Sequence, residues 1–150
     1  MKPSVPITIG FLTLLFLSAC SGRSKDSELS DAASVGSVDQ LKALLSKGAN
    51  VNHVDHSGRK FSPLHWACFS KNYSTAKFLL ENGADPNVKD ISGNQPLFYA
   101  VGPSQQDYEL IKLLLDKGAD PSILSRFSKL NDIHPKIKEL IQEQESPKAR

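Results

Sequence analysis

The stretch 79-LLENGADPN-87 returns as 114-LLDKGADPS-122 and, more loosely, as 44-LLSKGANVN-52. Gly48, Gly83 and Gly118 therefore stand 35 residues apart, a spacing within the range in which one supersecondary unit stacks on the next. Each copy ends an apolar run at a glycine, the residue that most readily takes the left-handed conformation closing a helix. Three helix ends, each followed by a turn, are written in one phrase.

Working back from the central copy, residues 57–87 read SGRKFSPLHWACFSKNYSTAKFLLENGADPN. Pro63 suits a first helical turn, where its missing N–H costs nothing, and Ser62 before it can cap. The pattern predicts a short helix from Pro63 to Ser70, a break at Lys71-Asn72, and a longer helix from about Ser74 to Glu81. Ala76, Phe78, Leu79 and Leu80 give the second helix its apolar face.

This unit resembles an ankyrin repeat, whose T-P-L-H-x-A helix start is matched by Ser62-Pro63-Leu64-His65-Trp66-Ala67. A second copy follows as Gln95-Pro96-Leu97-Phe98-Tyr99-Ala100, introduced by Asp90-Ile91-Ser92-Gly93-Asn94, which matches the family's D-x-x-G-x turn. The resemblance implies an all-α solenoid of about three helix-pair repeats with β-turn fingers: residues 29–52, 53–87 and 88–122, closed by a degenerate cap over 123–144. The first unit keeps Ala32, Gly36, the helix VDQLKALLSKGA, Asn50 and Asn52 but lacks the P-L-H start, as suits an N-terminal cap. In the last, Ile137, Leu140 and Ile141 share a face of a helix from about Pro135 to Gln144, and terminal units need a polar outer side.

Two departures from the family pattern stand out. The first finger carries two extra residues, read as Lys60 and Phe61. Two more lie between Ala100 and Gly118, where VGPSQQDYEL is expected to bulge between the helices of the third unit.

The N-terminus has a different character. One Lys, an apolar run from Ile7 to Leu17, small residues and then Cys20 have the layout of a cleaved export signal. The run is too short, and too interrupted by Gly10 and Thr13, for the roughly 20 apolar residues of a membrane span. Its end, Leu17-Ser18-Ala19-Cys20, resembles the lipobox of bacterial lipoproteins. The resemblance implies a signal over 1–19, lipidation of Cys20 and, with Ser21 rather than Asp following, the outer membrane facing the periplasm. Residues 20–28 then form a lipidated tether and 145–150 a disordered tail.

With 18 basic and 16 acidic residues the formal net charge is +2, which gives no electrostatic case for nucleic acid. Only two Cys are present, so with Cys20 committed to lipid no disulfide framework remains for Cys68.

No nucleophile elbow, P-loop, dinucleotide fingerprint or zinc pattern occurs. His53, Asp55 and His56 offer two imidazoles and a carboxylate within four positions, but Asp55 is the ordinary first residue of the ankyrin turn and a further ligand is not visible. The metalloenzyme reading ranks last; no cofactor or metal is expected. His65 is expected to bond turn backbone, with Phe98 in its place in the next unit. Cys68 falls where a small buried residue is preferred.

Aromatics carry the functional expectation. Trp66 and Tyr99 share a register on successive inner helices and are expected to stack as neighbours. Phe69 and Phe61, with Arg59 and Lys60 beside them, resemble exposed interface anchors. The protein-binding set is His56, Arg59, Lys60, Phe61, Trp66, Phe69, Ile91 and Asn94. The expected protein is a monomeric, membrane-anchored binding module of the bacterial envelope whose partner is another protein, as in an immunity-type neutraliser of a toxin. The alternative is an assembly or stabilising factor for a periplasmic enzyme.

Overall fold

The computed structural model describes residues 24–56, 58–127, 129 and 133–145. The signal, Cys20 and residues 146–150 lie outside them. Among the described residues seven α-helices follow in order: α1 (Lys25–Val35), α2 (Val38–Ser46), α3 (Pro63–Phe69), α4 (Tyr73–Glu81), α5 (Pro96–Ala100), α6 (Gln105–Asp116) and α7 (Pro135–Glu145), with a 3-10 stretch at Pro121–Phe127 before the last. No strand occurs among the described residues.

Helices α1, α3 and α5 pack side by side as an inner row that ends on the 3-10 stretch, while α2, α4 and α6 form an outer row behind them. Leu41, Leu64, Leu79, Leu97, Ile111 and Leu114 lie fully buried in the two rows, and Ile137 of α7 extends the same core. Such a core, continuous through every repeat, makes each unit dependent on its neighbours.

The repeated phrase stitches the units together on one side. The Asn52 amide donates to the Gly83 carbonyl (3.1 Å) while its oxygen accepts from the Asp85 N–H (2.8 Å). One period on, Asn87 donates to Gly118 (2.9 Å) and accepts from Asp120 (2.8 Å). An amide side chain is needed, because both a donor and an acceptor are used. Ser122 stands at the next rung and folds back on Asp120 instead, at 2.8 Å, so the ladder ends there.

At the opposite end of the inner helices, Gly36 closes α1 with φ 87°, and Lys71, one period later, takes the same left-handed conformation with φ 58°. The two turns are tied to neighbouring repeats: the Asn72 amide donates to the Ser34 carbonyl (3.2 Å) and the Lys71 ammonium to the Val101 carbonyl (2.9 Å).

The structure differs from the sequence reading at three places. Helix α1 begins at Lys25, capped by the Ser24 hydroxyl, inside the stretch assigned to the tether. Asp26 holds it there by accepting from the Asn50 N–H at 2.7 Å. In the third unit the chain does not bulge: it turns over Val101–Ser104, and α6 starts at once on a reciprocal cap between Ser104 and Asp107. Phe61, expected at the surface, is 1% exposed.

Helix α7 behaves as the expected cap. The His134 N–H donates to the Gly102 carbonyl (3.1 Å) and its ring stacks on Tyr108, so α7 starts beside the α5–α6 turn. Ile137 and Ile141 face inward, while Lys136, Glu139, Gln142 and Glu143 face out.

Candidate functional site

The two described fingers close by the same device at different lengths. In the first, the Asp55 N–H donates to the Phe61 carbonyl (2.9 Å) and the Asp55 carboxylate accepts from the Phe61 N–H (3.1 Å). In the second, the Asp90 N–H donates to the Asn94 carbonyl (2.9 Å) and its carboxylate accepts from the Ser92 and Asn94 N–H groups, both at 2.8 Å. Phe61 therefore stands in the register of Asn94, at the finger's base. The two extra residues are accommodated nearer the tip, where Lys60 takes a left-handed φ of 55°. This corrects the reading of Phe61 as an inserted, exposed anchor: a residue at the closing pair of a hairpin faces the inner helices, and a phenyl ring there is withdrawn from water.

Each finger aspartate is also bound to an aromatic donor on the following inner helix. The Trp66 indole N–H donates to Asp55 Oδ2 at 3.1 Å, and the Tyr99 hydroxyl donates to Asp90 Oδ2. Burial pushes the Asp90 carboxyl up, but the Tyr99 phenol and the Asn94 and Ser92 amides together hold it below its ordinary value. Burial and the same bond raise the Tyr99 phenol. Donor and acceptor are thus fixed, and each finger is locked to its inner helix.

Phe61 is the centre of the aromatic cluster. Its ring stacks on His65 (centroids 5.2 Å apart) and meets Trp66 (5.0 Å) and Tyr99 (4.9 Å) edge-on. Trp66 and Tyr99, expected to stack as neighbours, are bridged by Phe61. His65 serves the backbone as expected. Its Nδ1 accepts from the Ser62 N–H (3.1 Å), which leaves Nε2–H to donate to the Asn94 carbonyl (3.2 Å). Burial lowers its pKa against the opposing pull of Asn94, Asp90 and Asp55, so the ring is a neutral strut between repeats.

Above this cluster lies the accessible surface. Phe69 is 49% exposed and rests edge-on against Tyr99 (6.1 Å), Trp66 (6.2 Å) and Phe61 (6.3 Å). The Arg59 guanidinium sits 5.6 Å from the centroids of both Phe61 and Phe69, within cation–π range. The Ile91 N–H donates to the Arg59 carbonyl (3.1 Å), joining the two fingers, while its side chain is 62% exposed. Arg59, Phe69, Ile91 and the half-buried Trp66 therefore form one face.

Asn94 is engaged, its side-chain oxygen accepting from Arg126 Nη1 at 3.2 Å. His56 and Lys60 are exposed beside Val54 and Asp55 at a shallow depression on the first finger. The His53, Asp55 and His56 trio is divided among different neighbours: His53 Nδ1 lies 3.8 Å from Asp26, its ring 6.0 Å from that of His56, and Asp55 is turned to Trp66 and Phe61. Among the described residues no three His, Cys, Asp or Glu side chains are arranged to hold a metal ion. Cys68 is buried, and burial raises its thiol to about 12 against the opposing effect of Lys71, which leaves it unreactive.

The sequence reading missed Arg126 and Phe98 as parts of this face. Arg126 lies 5.4 Å from the Phe98 centroid, and Phe98 packs on Phe127 (5.3 Å). What signal there was for Arg126 is its place one period after Ile91, too little to register it in a stretch where the signature residues are lost.

A family model for ankyrin repeats (3 copies) matches residues 29–125. The chain belongs to the ankyrin-repeat family. A stretch of 49 residues is 43% identical to the ankyrin repeat and LEM domain-containing protein 1 homolog of Caenorhabditis elegans, covering 33% of this chain and 7% of that protein. The chain spans a small part of that relative, and the likeness is one of repeats. Ankyrin repeats generally mediate protein–protein binding, and the face of this repeat protein has the composition of such a surface: aromatic rings, arginines and an exposed aliphatic side chain on a rigid base.

Proposed function

We propose that the chain is a membrane-anchored binding module of the bacterial envelope that captures a partner protein through its fingers and inner helices. The observation carrying the binding reading is Phe69, half exposed on a cluster of buried and half-buried rings with Arg59 held over it. Buried aromatic and Arg anchors of this kind dominate protein interfaces, each costing on the order of 2 kcal/mol when truncated. Compact size and a tether suit a neutraliser that meets a toxin at the membrane, where anchoring raises its effective concentration.

The binding reading is tested by Arg59→Ala with Phe69→Ala. Both side chains are exposed, so stability is expected to move by no more than about 1 kcal/mol. Capture of the partner from an envelope extract is expected to be lost, and the captured protein, identified in the wild-type experiment, should cross-link to Phe69-side residues. Undiminished capture by the double variant would exclude this face.

Anchoring rests on Leu17-Ser18-Ala19-Cys20. Cys20→Ser is expected to accumulate as an uncleaved precursor, whereas the wild type is processed, acylated and sediments with membranes. One acyl chain binds only marginally, so at least two signals are expected on the mature N-terminus. A Cys20→Ser chain processed like the wild type would refute the anchor.

A further inference from the structure

We infer that the segment this face takes from its partner is acidic as well as apolar, with a carboxylate set against each of Arg59 and Arg126. This rests on the protein-binding reading above and adds the partner's chemistry to it. A guanidinium is planar, with its N–H donors directed outward in that plane. Arg59 is held over Phe61 and Phe69, and Arg126 over Phe98. Of the two, Arg126 donates Nη1 to Asn94. Among the described residues neither guanidinium lies within 4.0 Å of a carboxylate oxygen.

The aspartates of the two fingers are already committed. Asp55 accepts from Phe61 and Trp66, and Asp90 from Ser92, Asn94 and Tyr99. The arginines thus stand on rings with their charge uncompensated by the protein itself, and a carboxylate is the group that answers such a fork in two parallel hydrogen bonds. Their placement adds a pattern. The Arg59 carbonyl receives the Ile91 N–H on one side of the second finger, and Arg126 reaches Asn94 on the other. Exposed Ile91 lies on the finger between them. Two cations separated by an aliphatic side chain fit a peptide in which acidic and apolar residues alternate. A phosphate polymer fits less well, since its affinity grows with the number of cations aligned on it and the whole chain carries only +2.

The test passes the purified full chain over two immobilised arrays. One holds short peptides randomised over Asp, Glu, Leu, Phe and Gly; in the other, Asn and Gln replace Asp and Glu. Retention is expected to be at least tenfold stronger on the acidic array, to weaken with added salt, and to fall tenfold or more for Arg59→Gln with Arg126→Gln. Equal retention on both arrays, an unaffected double variant, or no retention on either overturns the inference, as does binding only to vesicles containing phosphatidylglycerol. Phe69→Ala separates the two readings. If it releases peptides that the amide array holds equally well, the face binds protein and only the acidic chemistry falls. If it releases nothing from either array, the face itself falls.

Discussion

Phe61→Ala is expected to cost about 3 to 5 kcal/mol of folding stability, the range for truncating a buried phenylalanine. The ring is 1% exposed and touches His65, Trp66, Phe69 and Tyr99. It joins the base of one finger to the inner helices of two repeats. Since domains are stable by roughly 5 to 15 kcal/mol, the variant should lose a large part of the whole. Phe69→Ala removes the same side chain from a half-exposed site and is expected to cost about 1 kcal/mol or less. Urea unfolding of both, followed by helical circular dichroism, decides the matter. If the two variants unfold at the same denaturant concentration, Phe61 is not the keystone of the two repeats.

That contrast also shows what the sequence could and could not say. The repeat, its period and its helix boundaries were legible because glycine stops and a proline at the first helical turn obey local rules, and α3, α4 and α7 begin and end within a residue or so of expectation. The family pattern revealed two extra residues in the first finger but assigned them to Lys60 and Phe61, since spacing alone does not show which residues protrude. Only the backbone pairing between Asp55 and Phe61 settles that, and it turns the ring inward. Arg59 and Phe69 were readable as a pair, since a finger and the following inner helix share a side of the solenoid. Arg126 was not, because the pattern that would have registered it fades after Ser122. The bulge expected in the third unit failed for a simpler reason: Ser104-Gln105-Gln106-Asp107 has the spacing of a reciprocal cap, and that local signal outweighs the count of extra residues.

Asp107→Ala is expected to cost about 2 to 3 kcal/mol, through loss of a cap and of a partly buried ion pair. The carboxylate is 4% exposed. It accepts from the Ser104 N–H (2.9 Å), the Ser104 hydroxyl (2.6 Å) and the Lys71 ammonium (2.9 Å). The Lys71 side chain is 36% exposed, so its ammonium can turn to water when the partner is lost, which keeps the cost below that of a fully buried pair. Burial pushes the Asp107 carboxyl up, but Ser104 and Lys71 together outweigh it and hold the group below its ordinary value. A carboxyl whose folded value is depressed stabilises the fold above its unfolded value, about 3.9, and ceases to do so as pH falls through the folded one. The stability gap between wild type and Asp107→Asn should therefore be widest at neutral pH and narrow steadily below about pH 4. Gly102→Ala probes the same group sterically, since a Cβ there would stand 2.5 Å from Asp107 Oδ2 and push the carboxylate off its donors. Urea midpoints for the wild type and the three variants at neutral and acid pH check these expectations. A gap between wild type and Asp107→Asn that stays constant down to pH 3 would mean the carboxylate acts by shape alone, and that the Lys71 link between the second and third repeats carries no charge-dependent stability.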